Sequence, residues 1–332
     1  MTLASPTPRT TRLDDSTDLT LTDPECAEVL RLARELVLVE PRLMDTRVWM
    51  DEARRRSSRL PLRLRESVRQ YRHDPGPTGL LIVRNLPNDE TLLPETPTVA
   101  ESVERRATTP GAVTALLSLC LGEVVAYREE KSGALVQNVV PVPGQEASQS
   151  NAGSGTLLEL HVENAFHPHR PDYVGLFCLR NDHSGTAGTL VSSIRRALAL
   201  VPPEAVGVLL QPRFVTEPPP SFHSGAPTTA HPVLEGAADD PNILVDFSAT
   251  MPLDDEAKAA LEVLRDAFLT VSETLVLQPG ELAFVDNRLS VHGRTTFEAR
   301  YDGRDRWLHR TFVHLDNRRN RSHRSGGGFV LS

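Results

Sequence analysis

The patterned part of the chain opens on apolar residues at helical spacing. Thr22-Asp23-Pro24 supplies capping side chains and a first-turn proline, and ECAEVLRLARELVLV follows with its aliphatics three and four apart. The stretches MDTRVWMDEARRRS and LPLRLRESVRQYRH also read as helical. GLLIVRNLP (79–87) breaks the rhythm. It is apolar, β-branched and bounded by Gly and Pro, which predicts a strand. Thr109-Pro110 then opens GAVTALLSLCLGEV, apolar nearly all round and therefore a buried helix.

From about residue 124 short strands with turns take over: GALVQNVVPV, GTLLELHVE, YVGLFCLRND, GTLVSS, ILVDFSA, TLVLQPGELAFVDN and RWLHRTFVHLD. Two helical stretches interrupt them, IRRALALVPPEAVGVLL and DEAKAALEVLRDAFLTVSETL. Residues 212–232 (PRFVTEPPPSFHSGAPTTAHP) are proline-rich and without period, which predicts a functional lid or a linker. Residues 1–18, rich in Ser, Thr, Pro and Arg, read as a disordered tail. Helices first and strands later give an α+β domain over 19–332. Its helical flank is 19–123 and its antiparallel β-core 124–332, with helices packed outside.

Composition narrows the function. A net charge of −8 argues against a nucleic-acid partner, which needs clustered Lys and Arg. The basic run RRNRSHR (318–324) is short and reads as a solvated tail. No stretch approaches the ~18 apolar residues of a membrane helix. MTLASPTPRTTRLDD lacks the apolar core of a signal peptide. Cys26, Cys120 and Cys178 are too dispersed for a disulfide framework or a cysteine zinc motif. The reading is a cytoplasmic protein.

The chemistry concentrates in LELHVENAFHPHRPDYV (158–174). His161 and Glu163 lie two apart at the end of an apolar strand, on one face by its period. They match two ligands of a 2-His-1-carboxylate triad, which leaves open positions on iron(II). HxE alone is common on surface strands, so the third ligand decides. His292, in LAFVDNRLSVHGRTTF, follows a strand and a turn and precedes a second strand. His167 and His169 flank Pro168 and suit a turning loop. In RWLHRTFV, Arg306, Leu308, Arg310 and Phe312 share one strand face. If that face lines the core, each guanidinium needs an anion, and two small carboxylates fit two arginines. Asp302-Gly303 reads as a turn placing this strand directly after HGRTTF. A zinc hydrolase could use the same ligands, but it leaves the two arginines without a role.

HxE, a distal histidine in VDNRLSVHGRTTF and the run YDGRDRWLHRTFV together resemble the clavaminate synthase-like group of iron(II)/2-oxoglutarate oxygenases. EKSGALVQNVVPVPG and NAFHPHRPDYV strengthen the likeness to that group's L-asparagine 3-hydroxylases. The resemblance implies a double-stranded β-helix (jelly-roll) core flanked by helices. It implies His161, Glu163 and His292 as iron ligands. Arg306 and Thr189 would hold the distal carboxylate of 2-oxoglutarate. Arg310 would hold the α-carboxylate of an amino-acid substrate, Glu130 its ammonium, and Asn151 and Asp246 its remaining polar atoms. From the residues alone, Asn151 is equally a turn residue, Glu130 part of a charged EEK run, and Asp246 a strand-end cap. With iron(II) and O2, 2-oxoglutarate is decarboxylated to succinate and a C–H bond is hydroxylated. Related halogenases lack the carboxylate ligand, so Glu163 implies hydroxylation. The implied substrate is a polar L-amino acid, asparagine-like and attacked at C3. Arginine, citrulline, lysine or glutamine, C4 attack, desaturation, and a carrier-bound substrate stay open. Antibiotic-type specialised metabolism is the implied setting.

Overall fold

The structure, a computed structural model, describes residues 18–219, 222 and 227–332. The chain runs β1 (Asp18–Thr20), α1 (Asp23–Val37), α2 (Arg47–Ser57), α3 (Leu62–His73), β2 (Leu80–Arg84), β3 (Val103–Glu104) and α4 (Thr109–Leu121). Strands β4 (Glu123–Tyr127), β5 (Val136–Val139), β6 (Leu158–His161), β7 (Tyr173–Arg180) and β8 (Thr189–Ser193) follow. Next come α5 (Ile194–Ala197), α6 (Pro203–Leu209), β9 (Phe214–Thr216), β10 (Leu234–Ala237), β11 (Asp240–Ile243), β12 (Thr250–Pro252) and α7 (Asp255–Val271). The chain ends with β13 (Glu273–Leu275), β14 (Leu282–Asp286), β15 (Ser290–Arg294), β16 (Trp307–His314) and β17 (Val330–Leu331).

Local chemistry sets the first helices. At α1 the Thr22 hydroxyl accepts from the Glu25 N–H at 3.4 Å, and the Glu25 carboxylate accepts from the Thr22 N–H at 2.8 Å. Helix α4 is buried along nearly its whole length. It packs on α1, α2 and β16. Small polar residues on it meet the strand beneath: Ser118 Oγ lies 2.8 Å from Thr311 Oγ1.

Two sheets face one another. The larger is mixed, in the order β1-β2-β14-β7-β16-β4-β17, with β5 also along β16 and β3 along β5. Its β1–β2 and β4–β17 pairs are parallel. The smaller is antiparallel, in the order β13-β8-β15-β6. Strand alternation divides the core. Tyr173, Phe177 and Leu179 of β7 join the cluster under α1–α4. Val174, Leu176 and Cys178 point the other way, with Leu308 and Phe312 of β16. Helices α5–α7 cover the outer face of the small sheet. Between the sheets, Val191 of β8 meets Leu80 and Val285.

Several expectations change. IRRALALVPPEAVGVLL is broken at Val201-Pro202 into two short helices, since proline cannot donate to the preceding turn. In ILVDFSA only Ile243 ends a strand; beyond it, Asp246 makes an isolated bridge to His161. The stretch 212–232 holds strand β9, paired antiparallel with β12. Its residues 220, 221 and 223–226 lie outside the described residues. Of the expected tail, Asp18 is in β1 and 1–17 lie outside the described residues. The basic run 318–324 is solvated at Arg318, Arg319 and Arg321, as expected, but it is anchored at its end. Arg324 is buried, donating to Asn320 Oδ1 at 2.7 Å and Gly328 O at 2.7 Å. Strands β15 and β16 lie in different sheets, so Asp302-Gly303 makes no hairpin between them. No helix among the described residues is long and apolar enough to cross a membrane.

Candidate active site

His161 and His292 are direct partners across the antiparallel β6–β15 pair. Their ring centroids are 4.5 Å apart. His292 sits inside β15, where the sequence reading put it ahead of a strand. The neighbouring Gly293 permits the close approach: a Cβ there would lie 2.4 Å from the Leu158 carbonyl oxygen. Strand β6 stops at His161, so Glu163 is not held by the ladder. Asn287 holds it instead. Its Oδ1 accepts from the Glu163 N–H at 2.8 Å, and its Nδ2 donates to Glu163 O at 3.1 Å and Pro171 O at 2.9 Å.

The three side chains converge. Ligand atoms of His161, Glu163 and His292 lie within 4.8 Å of one another. His161 Nδ1 is 2.8 Å from the Glu159 carbonyl, a contact that makes Nδ1 the donor and leaves Nε2 bare. His292 Nε2 is 3.4 Å from Glu163 Oε2. Burial pushes the His292 pKa down, which keeps its ring neutral and able to ligate. Burial also tends to raise the Glu163 pKa, but Arg310 and the two histidines outweigh it and bring it to about 2. Two neutral imidazoles and an ionised carboxylate are a donor set for a divalent transition metal such as iron(II).

Arg310 is the electrostatic hub. Its Nη1 donates to Glu163 Oε1 at 2.9 Å, its Nη2 to Glu130, and its Nε to Gln137 Oε1 at 3.0 Å. The Glu130 pKa is raised by burial, with Arg310 opposing. Asn164 Nδ2 also reaches Glu130, at 3.3 Å. Glu130, Asn151 and Asp246 line one cavity with His161 and Glu163, and Thr216, Pro219 and Phe222 of the proline-rich stretch line its far side. Asp246 is partly engaged, accepting from Ser248 N–H at 2.8 Å and Ser248 Oγ at 2.6 Å. His167 stays outside this lining, its ring edge-on to Tyr127 at 4.8 Å.

Arg306 lies deeper. It lines a second hollow with Thr189, Asn151, His292, Arg294 and Arg310. The Arg306 side chain is 5 % exposed, and no described carboxylate pairs with it. Burial lowers its pKa. Arg294 beside it is brought down to about 10 by burial and by the Arg306 charge. Two buried guanidiniums repelling one another form an anion-seeking pocket.

Gln137, Asn287 and Arg294 were missed in the sequence. All three stand inside the motifs that carried the resemblance, but no period marks them. Asn287→Ala is expected to unpair three buried backbone groups, at about 1–3 kcal/mol each. Metal affinity should then fall about 10–100-fold, as for lost supports of ligands generally. Thermal melts and metal titration check both. An unchanged metal affinity would show that Glu163 needs no such support.

Together these features supply the donor types and the anion pocket that a mononuclear 2-His-1-carboxylate oxygenase needs. The family described as "Taurine catabolism dioxygenase TauD, TfdA family" matches residues 79–312, and the chain belongs to it. It is 46% identical to L-asparagine oxygenase of Streptomyces coelicolor, over 95% of this chain and 94% of that protein. It is 36% identical to clavaminate synthase 2 of Streptomyces clavuligerus, over 87% of this chain and 90% of that one. Its fold matches a crystal structure of asparagine oxygenase in complex with Fe(II), 2S,3S-3-hydroxyasparagine and succinate, with a TM-score of 0.92 and 46% identity. That match covers 95% of this chain and 99% of the other.

Proposed function

We propose that this protein is an iron(II)- and 2-oxoglutarate-dependent L-amino-acid hydroxylase, acting on asparagine at C3. The observation that carries this is the convergence of His161, Glu163 and His292 beside Arg310 and Glu130, with Arg306 buried behind them. The 46% identity to an L-asparagine oxygenase supports asparagine as the first substrate to test. A zinc hydrolase on the same ligands gains nothing from these relatives.

His161, Glu163 and His292 would hold iron(II), which with O2 and 2-oxoglutarate would supply the oxidation that hydroxylates a C–H bond. The chain's residues do the rest. Arg306 and Thr189 hold the distal carboxylate of 2-oxoglutarate in the inner hollow. Arg310 exchanges part of its bonding to Glu130 for the α-carboxylate of the amino acid, which frees Glu130 for the ammonium group. Asn151 and Asp246 orient the side chain. Asp246, when ionised, accepts hydrogen bonds and so favours an amide, guanidinium or ammonium over a second carboxylate. Arginine, citrulline, lysine and glutamine are the alternatives on that ground. Positioning of the target carbon and exclusion of water are the protein's catalytic contribution.

The two sheets are read as a double-stranded β-helix within one oxygenase domain over 19–332, with 212–232 as its lid. Phe222 supports the lid: it is 8 % exposed and stacks edge-on to Phe166 at 4.7 Å, over the cavity. The three cysteines are free, which suits a reducing cytoplasm.

The test is a screen of L-amino acids with iron(II), 2-oxoglutarate and ascorbate. It follows succinate and a product one oxygen heavier, or two hydrogens lighter for desaturation. Asparagine-coupled succinate is expected. If no amino acid, free or carrier-bound, couples succinate formation, the proposal fails. Arg306→Leu should leave thermal stability in the absence of 2-oxoglutarate equal or higher, because replacing a buried unpaired charge relieves its desolvation cost. The stabilisation that 2-oxoglutarate gives the wild type should vanish in that variant. A shift that survives would remove Arg306 from the cosubstrate site.

A further inference from the structure

The outward face of β16 carries a second pocket. Trp307, His309, Thr311 and Val313 point toward α4, away from Arg306 and Arg310. Beside Trp307 and His309 a cavity of about 520 Å³ opens between α1 and the loop after β2. Its walls are largely apolar, with Leu30, Leu86, Leu93 and Leu179 among them. Leu92, 78 % exposed, stands at its rim.

The polar part of the floor is short of a donor. His309 is 1 % exposed, and its Nε2 has no hydrogen-bond partner. Its tautomer follows from its neighbours. Thr114 Oγ1 donates its one proton to the Pro110 carbonyl at 2.9 Å, so Nδ1, 3.3 Å from that oxygen, must be the donor. Nε2 is then a bare acceptor. Burial brings the His309 pKa down to about 3, consistent with a neutral ring. The Glu104 carboxylate lies beside it, with Oε1 3.9 Å from Nε2. That is too long for a hydrogen bond, even for a protonated carboxyl. Glu104 already accepts from Asn138 Nδ2 at 3.2 Å and Thr108 Oγ1 at 3.3 Å. Two acceptors therefore face one another across a gap that one nitrogen donor can bridge.

We infer that this cavity is a second binding site, for a small molecule with an apolar body and a hydrogen-bond-donating head such as an amine, amidine or carboxamide. The donor head seats between His309 Nε2 and Glu104 Oε1, and the body lies along Leu30, Leu86 and Trp307. The site is separate from the oxygenase centre, across the thickness of one sheet, and does not depend on which amino acid is hydroxylated. It is connected to that centre. Asn138 accepts from Trp307 Nε1 at 2.7 Å on this side, while its neighbour Gln137 accepts from Arg310 on the other.

Cys26 lines the cavity and reports occupancy. The experiment follows its alkylation by N-ethylmaleimide, resolved by peptide mass spectrometry, on the full-length iron-loaded protein. Benzamidine is the probe, benzoate its acceptor-only counterpart, and Cys120 the internal control. Benzamidine is expected to slow alkylation of Cys26 but not of Cys120, and benzoate to protect neither. Glu104→Gln removes the carboxylate that the donor head seats against and should weaken protection by about tenfold, the loss of one charge-assisted hydrogen bond. Leu30→Trp, on the half-buried wall, should abolish protection by filling the space. Equal rates for Cys26 with and without benzamidine would overturn the site. So would protection that persists in Leu30→Trp, or protection by benzoate equal to that by benzamidine.

Discussion

Replacing His292 by alanine is expected to leave a folded protein that neither holds iron(II) tightly nor turns over 2-oxoglutarate. His292 supplies one of three converging ligand atoms, and it is 6 % exposed. Loss of a ligand itself should exceed the roughly 10–100-fold cost of losing a ligand's support, so affinity is expected to fall by more than about 100-fold. Metal titration monitors this independently of catalysis, and succinate release monitors turnover. The same substitution at His161 should behave alike, whereas His167→Ala, in the loop outside the cavity lining, should keep iron affinity. Wild-type iron affinity in His292→Ala would remove His292 from the metal site and with it the facial triad.

Arg310→Met is the second large effect, and it is one of stability as well as chemistry. Arg310 is the cation between two buried carboxylates, Glu130 and Glu163. Removing one partner of a buried ion pair costs about 3–5 kcal/mol, because the other charge is left uncompensated. Adding Glu130→Gln should recover part of that loss, a coupling a double-mutant cycle reads directly. The pH dependence separates the two acids. Glu163 has its folded pKa lowered from an ordinary 4.5 to about 2. Its contribution is therefore fully present above pH 4.5 and is lost as pH falls toward 2. Glu130 has its folded pKa raised, so its contribution is largest below the ordinary value and is lost as pH rises through the folded one. Arg310→Met should reduce the acid-side loss due to Glu163, leaving the share that the two histidines supply, and weaken metal binding at mildly acidic pH, as that carboxyl is protonated more easily. Denaturant unfolding from pH 2 to pH 6 measures the first, and metal titration the second. A variant with wild-type acid sensitivity would show that Arg310 does not hold Glu163 ionised.

Much of this was legible along the chain. The helix periods of α1–α3 and the capping at Thr22 are local, and the structure reproduces them. The alternation in RWLHRTFV put Arg306 and Arg310 on one face, and β16 keeps that division: Leu308 and Phe312 join the inner cluster, Trp307 and Val313 the outer. Other features depend on distant residues and left no periodic trace. Asn287 grips the backbone of Glu163 from 124 positions away. Gln137 reads as an ordinary strand residue until Arg310 is laid beside it. The hairpin expected at Asp302-Gly303 failed because turn chemistry sets a local reversal but not the sheet the next strand joins.

The sequence by itself determined the donor types and the shared face of the two arginines. These follow from side-chain chemistry and the two-residue period of a strand, which need no partner. Only the tertiary structure decided that His292 stands across from His161, that Asn287 rather than the strand holds Glu163, and that Arg310 ties both carboxylates together. Register between strands is set by which buried surfaces fit and which polar groups find partners, a property of the whole packed core.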